Sequence, residues 1–123
     1  MDSGCYRLHI KISRDIKVIV GALGQCLFLK GNYIYTGSAL KNLSKRVERH
    51  YRKEKKLHWH IDYLTAHKFV KIEYIELIYT SEKIECELNL QLFKDYDVSV
   101  PFKGFGSSDC KCCPTHFVKI VDE

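Results

Sequence analysis

Residues 31–60 read GNYIYTGSALKNLSKRVERHYRKEKKLHWH, and the rest of the chain is arranged around this stretch. Residues 32–36 have the character of a short strand, in which side-chain alternation places Tyr33 and Tyr35 on one face and Ile34 on the other. We expect the glycine at position 37 to end this strand. The next residue, Ser38, is then expected to cap a helix, because its hydroxyl can accept an unpaired amide hydrogen of the first turn.

The predicted helix carries apolar residues at three- and four-residue spacing, which predicts one stripe that packs inward: Leu40, Leu43, Val47 and Tyr51. Arg46 and His50 are four residues apart, so they lie side by side on one shoulder of that stripe, within reach of Tyr35. Two tyrosines, an arginine and a histidine thus converge beside the basic residues 52–56. This arrangement predicts a site for an anion, and phosphate is the anion we expect.

Composition limits the class of protein. The 123 residues, 46% of them hydrophobic, predict a single domain, 1–123, with one modest core. No apolar run approaches the roughly 18 residues that cross a bilayer, and the start of the chain lacks a signal-peptide pattern. We therefore expect a soluble, cytoplasmic protein with no membrane partner. The net charge of +5 favours nucleic acid as the partner, although a solvated lysine-rich surface would give the same charge.

Alternating apolar residues predict strands on both sides of the opening stretch. Residues 5–12 alternate strictly and place Tyr6 in the row that faces the core, where it is either an ordinary packed aromatic or part of a site. Two short apolar runs joined by a glycine-containing bend predict a hairpin between this strand and residue 31: 16–20 and 26–29. Two later runs predict further strands: 69–79 and 117–121. The predicted fold is α+β, with a small antiparallel β-sheet flanked by helices and an inserted hairpin.

A late helix is predicted for SEKIECELNLQLF, residues 81–93, with Ser81 as its N-cap. Its apolar residues form two nearly opposite faces, so we expect burial on two sides. Two polar strips separate these faces, and each carries a glutamate: Glu85 in one strip and Glu87 in the other. A carboxylate in the strip that faces the sheet is costly to bury unless it is paired or bound to a cation.

Two further groups of residues have several readings. In HWHIDYL, residues 58–64, His58 and Asp62 lie four apart on an expected short helix and could bind metal, contact phosphate or hydrogen-bond internally. The six cysteines lack the spacing of a disulfide scaffold, so we expect free thiols or a metal site. Four residues of the tail could form part of a zinc site: Cys110, Cys112, Cys113 and His116. The alternative is that Asp109 and His116 anchor a loop or line a site.

Several motifs also carry a resemblance to a known family. G-x-Y at residues 4–6, Y-x-G at residues 35–37 and then Arg46 on a helix together resemble the GIY-YIG nuclease superfamily. The two motif tyrosines are further apart than is usual there, which implies the inserted hairpin, and Ser38 stands where repair nucleases often have lysine. The motifs YIYTGSA, RVERH, HWHIDYL and GFGSSDCKC more closely resemble small, mainly archaeal GIY-YIG-like proteins of uncharacterised function, some fused to DNA-repair glycosylases.

The resemblance implies a metal-dependent endonuclease that hydrolyses phosphodiester bonds, with DNA as the expected substrate and DNA repair as the expected context. One glutamate on the late helix would hold Mg²⁺ or Mn²⁺. The Glu-Cys step recurs in the archaeal-type family, so Glu85 is the predicted ligand and Glu87 the alternative.

The resemblance also implies roles for the residues that converge around the second motif. Tyr35, or alternatively Tyr6, would take the proton from the attacking water. Arg46 would bind the phosphate, and His50 would bond a phosphate oxygen or position the water. Further contacts to nucleic acid are predicted for Ser38, Arg49, Arg52, Lys53 and His58. The alternative to an enzyme is a non-catalytic module that binds nucleic acid.

Overall fold

The computed structural model of the protein describes residues 2–82, 84–101, 105 and 115–121. Within these ranges the elements follow in chain order: β1 (Gly4–Ile12), β2 (Ile16–Ile19), a short 3-10 helix (Gly21–Leu23), β3 (Gln25–Phe28), β4 (Gly31–Ala39), α1 (Leu43–Tyr51), α2 (Asp62–Thr65), β5 (Val70–Tyr79), α3 (Glu85–Asp95), β6 (Val98–Ser99) and β7 (Phe117–Ile120).

The strands form one five-stranded sheet in the order β5-β1-β4-β7-β6 and a separate two-stranded sheet made of β2 and β3. Neighbouring strands of the described chain pair antiparallel. The predicted α+β fold is therefore confirmed, and so is the hairpin inserted between the two motif strands.

Strand β1 is central because it pairs with β4 along one edge and with β5 along the other. Its first residue, Gly4, has φ +152°, and a Cβ there would lie 2.1 Å from the carbonyl oxygen of Ile78 on β5. Only glycine permits this close approach of the two backbones. The glycine of the first motif therefore has a structural role.

The two faces of the sheet carry different cores. On one face, Tyr6, Tyr33 and Tyr35 belong to the main core, against which Trp59 and Val47 also pack. On the other face, Ile34 forms a smaller cluster with residues of α3 and β7: Leu92 and Val118. The predicted alternation of Tyr33 and Tyr35 against Ile34 is confirmed. The functional motifs therefore lie where β1 and β4 meet the helices.

The predicted break after the second motif is wrong. Strand β4 continues through Gly37 and Ser38 to Ala39, because it stays paired with β1 up to the partners Gly4 and Ala39. Helix α1 begins only at Leu43, after Asn42 in the left-handed conformation with φ 57°. Ser38 is therefore a strand residue and does not cap the helix.

The buried face of α1 also differs from the predicted stripe. Leu43 is buried, but Leu40 lies before the helix and is 66% exposed, and Tyr51 is 52% exposed. The helix turns a face centred on Leu43, Val47 and His50 toward the core, which matches the spacing i, i+4, i+7. His50 is therefore fully buried, deeper than its predicted place on a shoulder of the stripe.

Helix α3 starts at Glu85, later than predicted, and Ser81 does not cap it. The polar strip that contains Glu85 faces the sheet, since Asn89 one turn further on is buried, whereas Glu87 is exposed. The second apolar face is only partly covered, because Leu90 is 37% exposed. Among the described residues, the helices are all too short or too polar to span a membrane.

Candidate functional site

The predicted site residues meet at the end of the sheet where β1 begins and β4 ends. In the part of the chain that the structure describes, β7 pairs with β4 only at residues 33–35. Residues 37–39 of β4 therefore lie beyond the end of β7. Side chains from α1 and from α3 reach this end of β4.

Tyr6 and His50 form the buried part of the site. The Tyr6 hydroxyl lies 2.8 Å from Nε2 of His50, a buried hydrogen bond that joins β1 to α1. The ring of Tyr35 lies beside the same imidazole, with 6.3 Å between ring centroids. A Cβ at Gly37 would lie 2.5 Å from the Tyr6 hydroxyl oxygen, so glycine in the second motif makes room for the phenol. Sequence spacing predicted that Tyr35 and His50 are near each other, but not the bond to Tyr6.

Burial is the main cause that raises the pKa of both phenols, Tyr6 and Tyr35. The negative charge of Glu85 raises both pKa values further, and the positive charge of Arg46 opposes this. Both phenols are therefore protonated at neutral pH. Arg46 alone does not favour the phenolate, so proton transfer requires a neighbouring acceptor.

That acceptor is present in His50. Burial, followed by the positive charge of Lys55, lowers the pKa of His50 from 6.5 to about 4. The imidazole is therefore neutral at neutral pH and can take a proton. Its second nitrogen, Nδ1, is buried and has no hydrogen-bond partner among the described residues.

The lowered pKa predicts how stability depends on pH. The unfolded chain binds a proton on His50 near pH 6.5, but the folded protein does so only near pH 4. The unfolded state therefore binds more protons in this window. The contribution of His50 to stability is complete above pH 6.5 and falls as the pH drops toward 4, by about 3 kcal/mol over the window. Urea unfolding measured at several pH values will show this slope.

His50→Gln removes the titrating group, so the stability of this variant should change less between pH 7 and pH 4.5 than that of the wild type. The matched control is His58→Gln, since His58 is an exposed histidine. This control should keep the wild-type slope. An identical slope in wild type and His50→Gln would show that His50 does not titrate as the buried geometry requires.

Glu85 supplies the carboxylate of the site. Its Oε2 accepts a hydrogen bond from the Ser38 hydroxyl at 3.0 Å, and its Oε1 lies 3.3 Å from Nδ1 of His116. The distance to His116 is short, but its geometry does not satisfy a hydrogen bond, and that nitrogen is otherwise unpaired in the described chain. The side chain of Glu85 is 29% exposed. Its carboxylate is thus partly open at the same end of the sheet as the tyrosines.

Arg46 is held beside this carboxylate by two contacts. Its guanidinium donates a hydrogen bond to the carbonyl oxygen of Ser38 and lies 4.8 Å from the ring centroid of Trp59. A second guanidinium, from Arg49, contacts the same indole at 4.5 Å. Each contact is a cation–π interaction, which favours a fixed guanidinium plane. Trp59 therefore helps to position Arg46.

Asp62 holds this stack from behind. Its two carboxylate oxygens accept hydrogen bonds from Arg49 at 2.8 and 2.9 Å, and Oδ2 also accepts the backbone amides of His58 and Trp59. Burial would raise the pKa of Asp62, but these hydrogen bonds outweigh burial and lower it. Among the three readings of the His58 and Asp62 pair, the geometry supports internal hydrogen bonding, made by a backbone amide. Sequence reasoning missed the Arg49 partner, although an acid after two arginines was a signal.

The predicted nucleic-acid contacts lie in different surroundings. Arg52 pairs with Glu48 on the helix surface at 2.9 Å, and His58 is exposed. The ammonium of Lys53 donates to three carbonyl oxygens, those of residues 65, 67 and 70. Arg49 is committed to Asp62 and Ser38 to Glu85, so these two residues support the site from within.

The cysteines depart from the expectation of free thiols at one position. Cys5 and Cys26 are free and buried, but Cys86 is disulfide-bonded, so the prediction is wrong for that residue. Three members of the proposed zinc cluster, together with Asp109, lie outside the described residues: Cys110, Cys112 and Cys113. The fourth, His116, is buried against Glu85 and the sulfur of Cys86.

Comparison with known proteins places this fold and site in a family. The chain belongs to the family described as "Domain of unknown function DUF123", which it matches over residues 5–123. The match includes both motif strands, the helix of Arg46 and the helix of Glu85. No curated protein and no solved structure matches the chain.

Proposed function

We propose that the protein is a divalent-metal-dependent endonuclease of the GIY-YIG type, which hydrolyses phosphodiester bonds in nucleic acid, with DNA as the expected substrate. One observation carries the proposal: the carboxylate of Glu85 and the guanidinium of Arg46 flank Ser38 at the end of the sheet that holds the hydrogen-bonded pair of Tyr6 and His50. A carboxylate, a guanidinium and a proton acceptor are the groups that phosphodiester hydrolysis needs.

The residues fit a divalent cation of the Mg²⁺ kind. Among the described residues there is no group of three or more histidines, cysteines or acids that could hold a metal. Mg²⁺ does not need such a cage, because it keeps several waters and is bound through one or two carboxylates together with substrate phosphates. Glu85 would supply the protein carboxylate to Mg²⁺ or Mn²⁺. The chemistry that such an ion supplies when bound is Lewis-acid polarisation of a phosphate oxygen.

The residues of the chain divide the remaining tasks. Arg46 donates to a phosphate oxygen and stabilises the charge that develops there, since its planar donor fork suits phosphate. Tyr6 takes a proton from water while its own hydroxyl proton passes to Nε2 of His50, which is neutral. Ser38 and His116 orient the carboxylate of Glu85. The hydrogen bond to His50 favours Tyr6 over Tyr35 as the proton acceptor.

The second candidate function is a non-catalytic module that binds nucleic acid. It is favoured by the burial of both phenols, whose raised pKa values keep them protonated. Such a module would use Arg46 and the net positive charge of the chain without turnover.

Plasmid nicking separates the two functions. Purified protein is incubated with supercoiled plasmid, branched DNA and structured RNA, each with Mg²⁺, Mn²⁺ or EDTA. We expect cleavage of DNA with either metal and none with EDTA. A preparation of Glu85→Gln, purified in the same way, controls for contaminating nucleases. Binding of DNA without cleavage of any substrate would support the module, and equal cleavage by both preparations would reject the proposed site.

A further inference from the structure

A second cavity lies behind the candidate site, between the end of α1, α2 and the start of β5. Its volume is about 430 Å³, within the range of pockets that hold small molecules. The side of the cavity away from the site is lined by these residues: Tyr51, Lys53, Thr65, Lys68, Lys71 and Ile72. The proposed nuclease reaction does not use this cavity.

The charge of the lining has one sign. Three lysines and no carboxylate line the cavity. After burial, the positive charges of Lys53 and Lys68 are the causes that lower the pKa of His67, which shows that both charges converge on this region. Lys71 also stands directly opposite Lys11 in the pairing of β1 with β5. Like charges directly opposite each other destabilise a sheet, and a bound anion would offset that repulsion.

The ammonium of Lys53 already donates to carbonyl oxygens, so the exposed Lys68 and Lys71 are the lysines available to an incoming anion. The hydroxyl of Thr65 accepts from Lys55 at 2.6 Å. Burial is the main cause that lowers the pKa of Lys55 to about 8. A nearby anion would stabilise the charged form of this lysine as well.

The cavity also has an apolar wall. Tyr51 is 52% exposed, although it is a large aromatic side chain, and Ile72 is half-buried beside it. An exposed phenol ring can stack on a flat base, and such stacking tolerates any base. From the lysines and this wall together we infer that the cavity binds a nucleotide, with its phosphate on Lys68 and Lys71 and its base on Tyr51. The nucleotide is either free or part of a nucleic-acid strand.

This inference goes beyond the proposed nuclease and stands without it. The two sites share only His50, which bonds Tyr6 and also lines the cavity. A ligand in the cavity would therefore lie next to a residue of the candidate site. Its binding can nevertheless be measured without any cleavage.

Isothermal titration calorimetry tests the inference with adenosine 5′-monophosphate, adenosine and inorganic phosphate. We expect the monophosphate to bind with a Kd below about 1 mM and adenosine to bind at least about tenfold more weakly. The double variant Lys68→Ala, Lys71→Ala should weaken binding of the monophosphate at least about tenfold, since it removes both available cations. Tyr51→Ala should weaken the monophosphate but leave inorganic phosphate unchanged, because only the base contacts the ring.

The control variant is Lys17→Ala, which removes an exposed lysine from the β2–β3 hairpin and should bind like the wild type. Absence of saturable binding, or equal binding by the double variant and the control, would overturn the inference. A short single-stranded oligonucleotide that displaces the monophosphate would identify nucleotides of a strand as the occupant. An oligonucleotide that does not displace it would identify a free mononucleotide, and both of these results agree with the inference.

Discussion

Glu85→Gln is expected to abolish metal-dependent cleavage and to change the affinity for nucleic acid by no more than about twofold. The amide has the shape of the carboxylate and can still accept the hydrogen bond from Ser38, so the fold should be preserved. It lacks the negative charge that Mg²⁺ requires of a protein ligand. A loss of several kcal/mol of transition-state stabilisation corresponds to a rate at least about 10³-fold lower. Single-turnover cleavage and a filter-binding assay measure the two effects separately.

The matched control is Glu87→Gln, which changes an exposed glutamate on the same helix and leaves the strip that faces the sheet intact. Its cleavage rate should equal that of the wild type. If Glu87→Gln abolished cleavage and Glu85→Gln did not, the carboxylate assignment would be wrong. Thermal melts of both variants show whether either change acts through stability.

Tyr6→Phe is expected to lower the cleavage rate by about 10² to 10⁴, the usual range for loss of a general base. The ring remains packed over Gly37, and only the hydroxyl that bonds His50 is removed. Binding of nucleic acid should be retained. Tyr35→Phe should lower the rate less, because the hydrogen bond to the imidazole is made by Tyr6. Single-turnover rates at saturating protein compare the two variants.

Tyr33→Phe is the control for removing a buried phenol hydroxyl. Tyr33 lies on the same face of the sheet, and its hydroxyl donates to the backbone carbonyl of Leu29, away from the site. This variant should cleave at the wild-type rate. A large loss in Tyr35→Phe with none in Tyr6→Phe would make Tyr35 the proton acceptor, as the motif resemblance implied. Wild-type rates in both variants would refute the nuclease site altogether.

Local patterns predicted most of the fold. Strict alternation identified β1, the apolar runs identified the inserted hairpin and β7, and the same pattern located β5 to within one residue of its start. Spacing of four residues also brought Arg46 and His50 to the same side of α1. These features depend on short-range periodicity, which the sequence displays directly.

Features that depend on pairing partners were missed. Gly37 and Ser38 have the composition of a strand end, but β1 holds them in the sheet because its own first residues need partners. This extension delays the start of α1, so Leu40 is exposed and His50 is buried. The bond of Tyr6 to His50 and the pairing of Arg49 with Asp62 join distant segments, which no local pattern reports.

The central place of β1 bears on how the chain folds. It is the first strand to be synthesised, yet one of its partners follows the hairpin and the other follows α2. The β2–β3 hairpin is local and can form in about 1–10 μs, whereas β1 must wait for distant partners, an arrangement that slows folding. Until β5 emerges from the ribosome, one long edge of β1 stays unpaired with its apolar residues uncovered. Such an edge invites pairing with other chains, so we expect nascent and truncated forms to be the species most prone to aggregate.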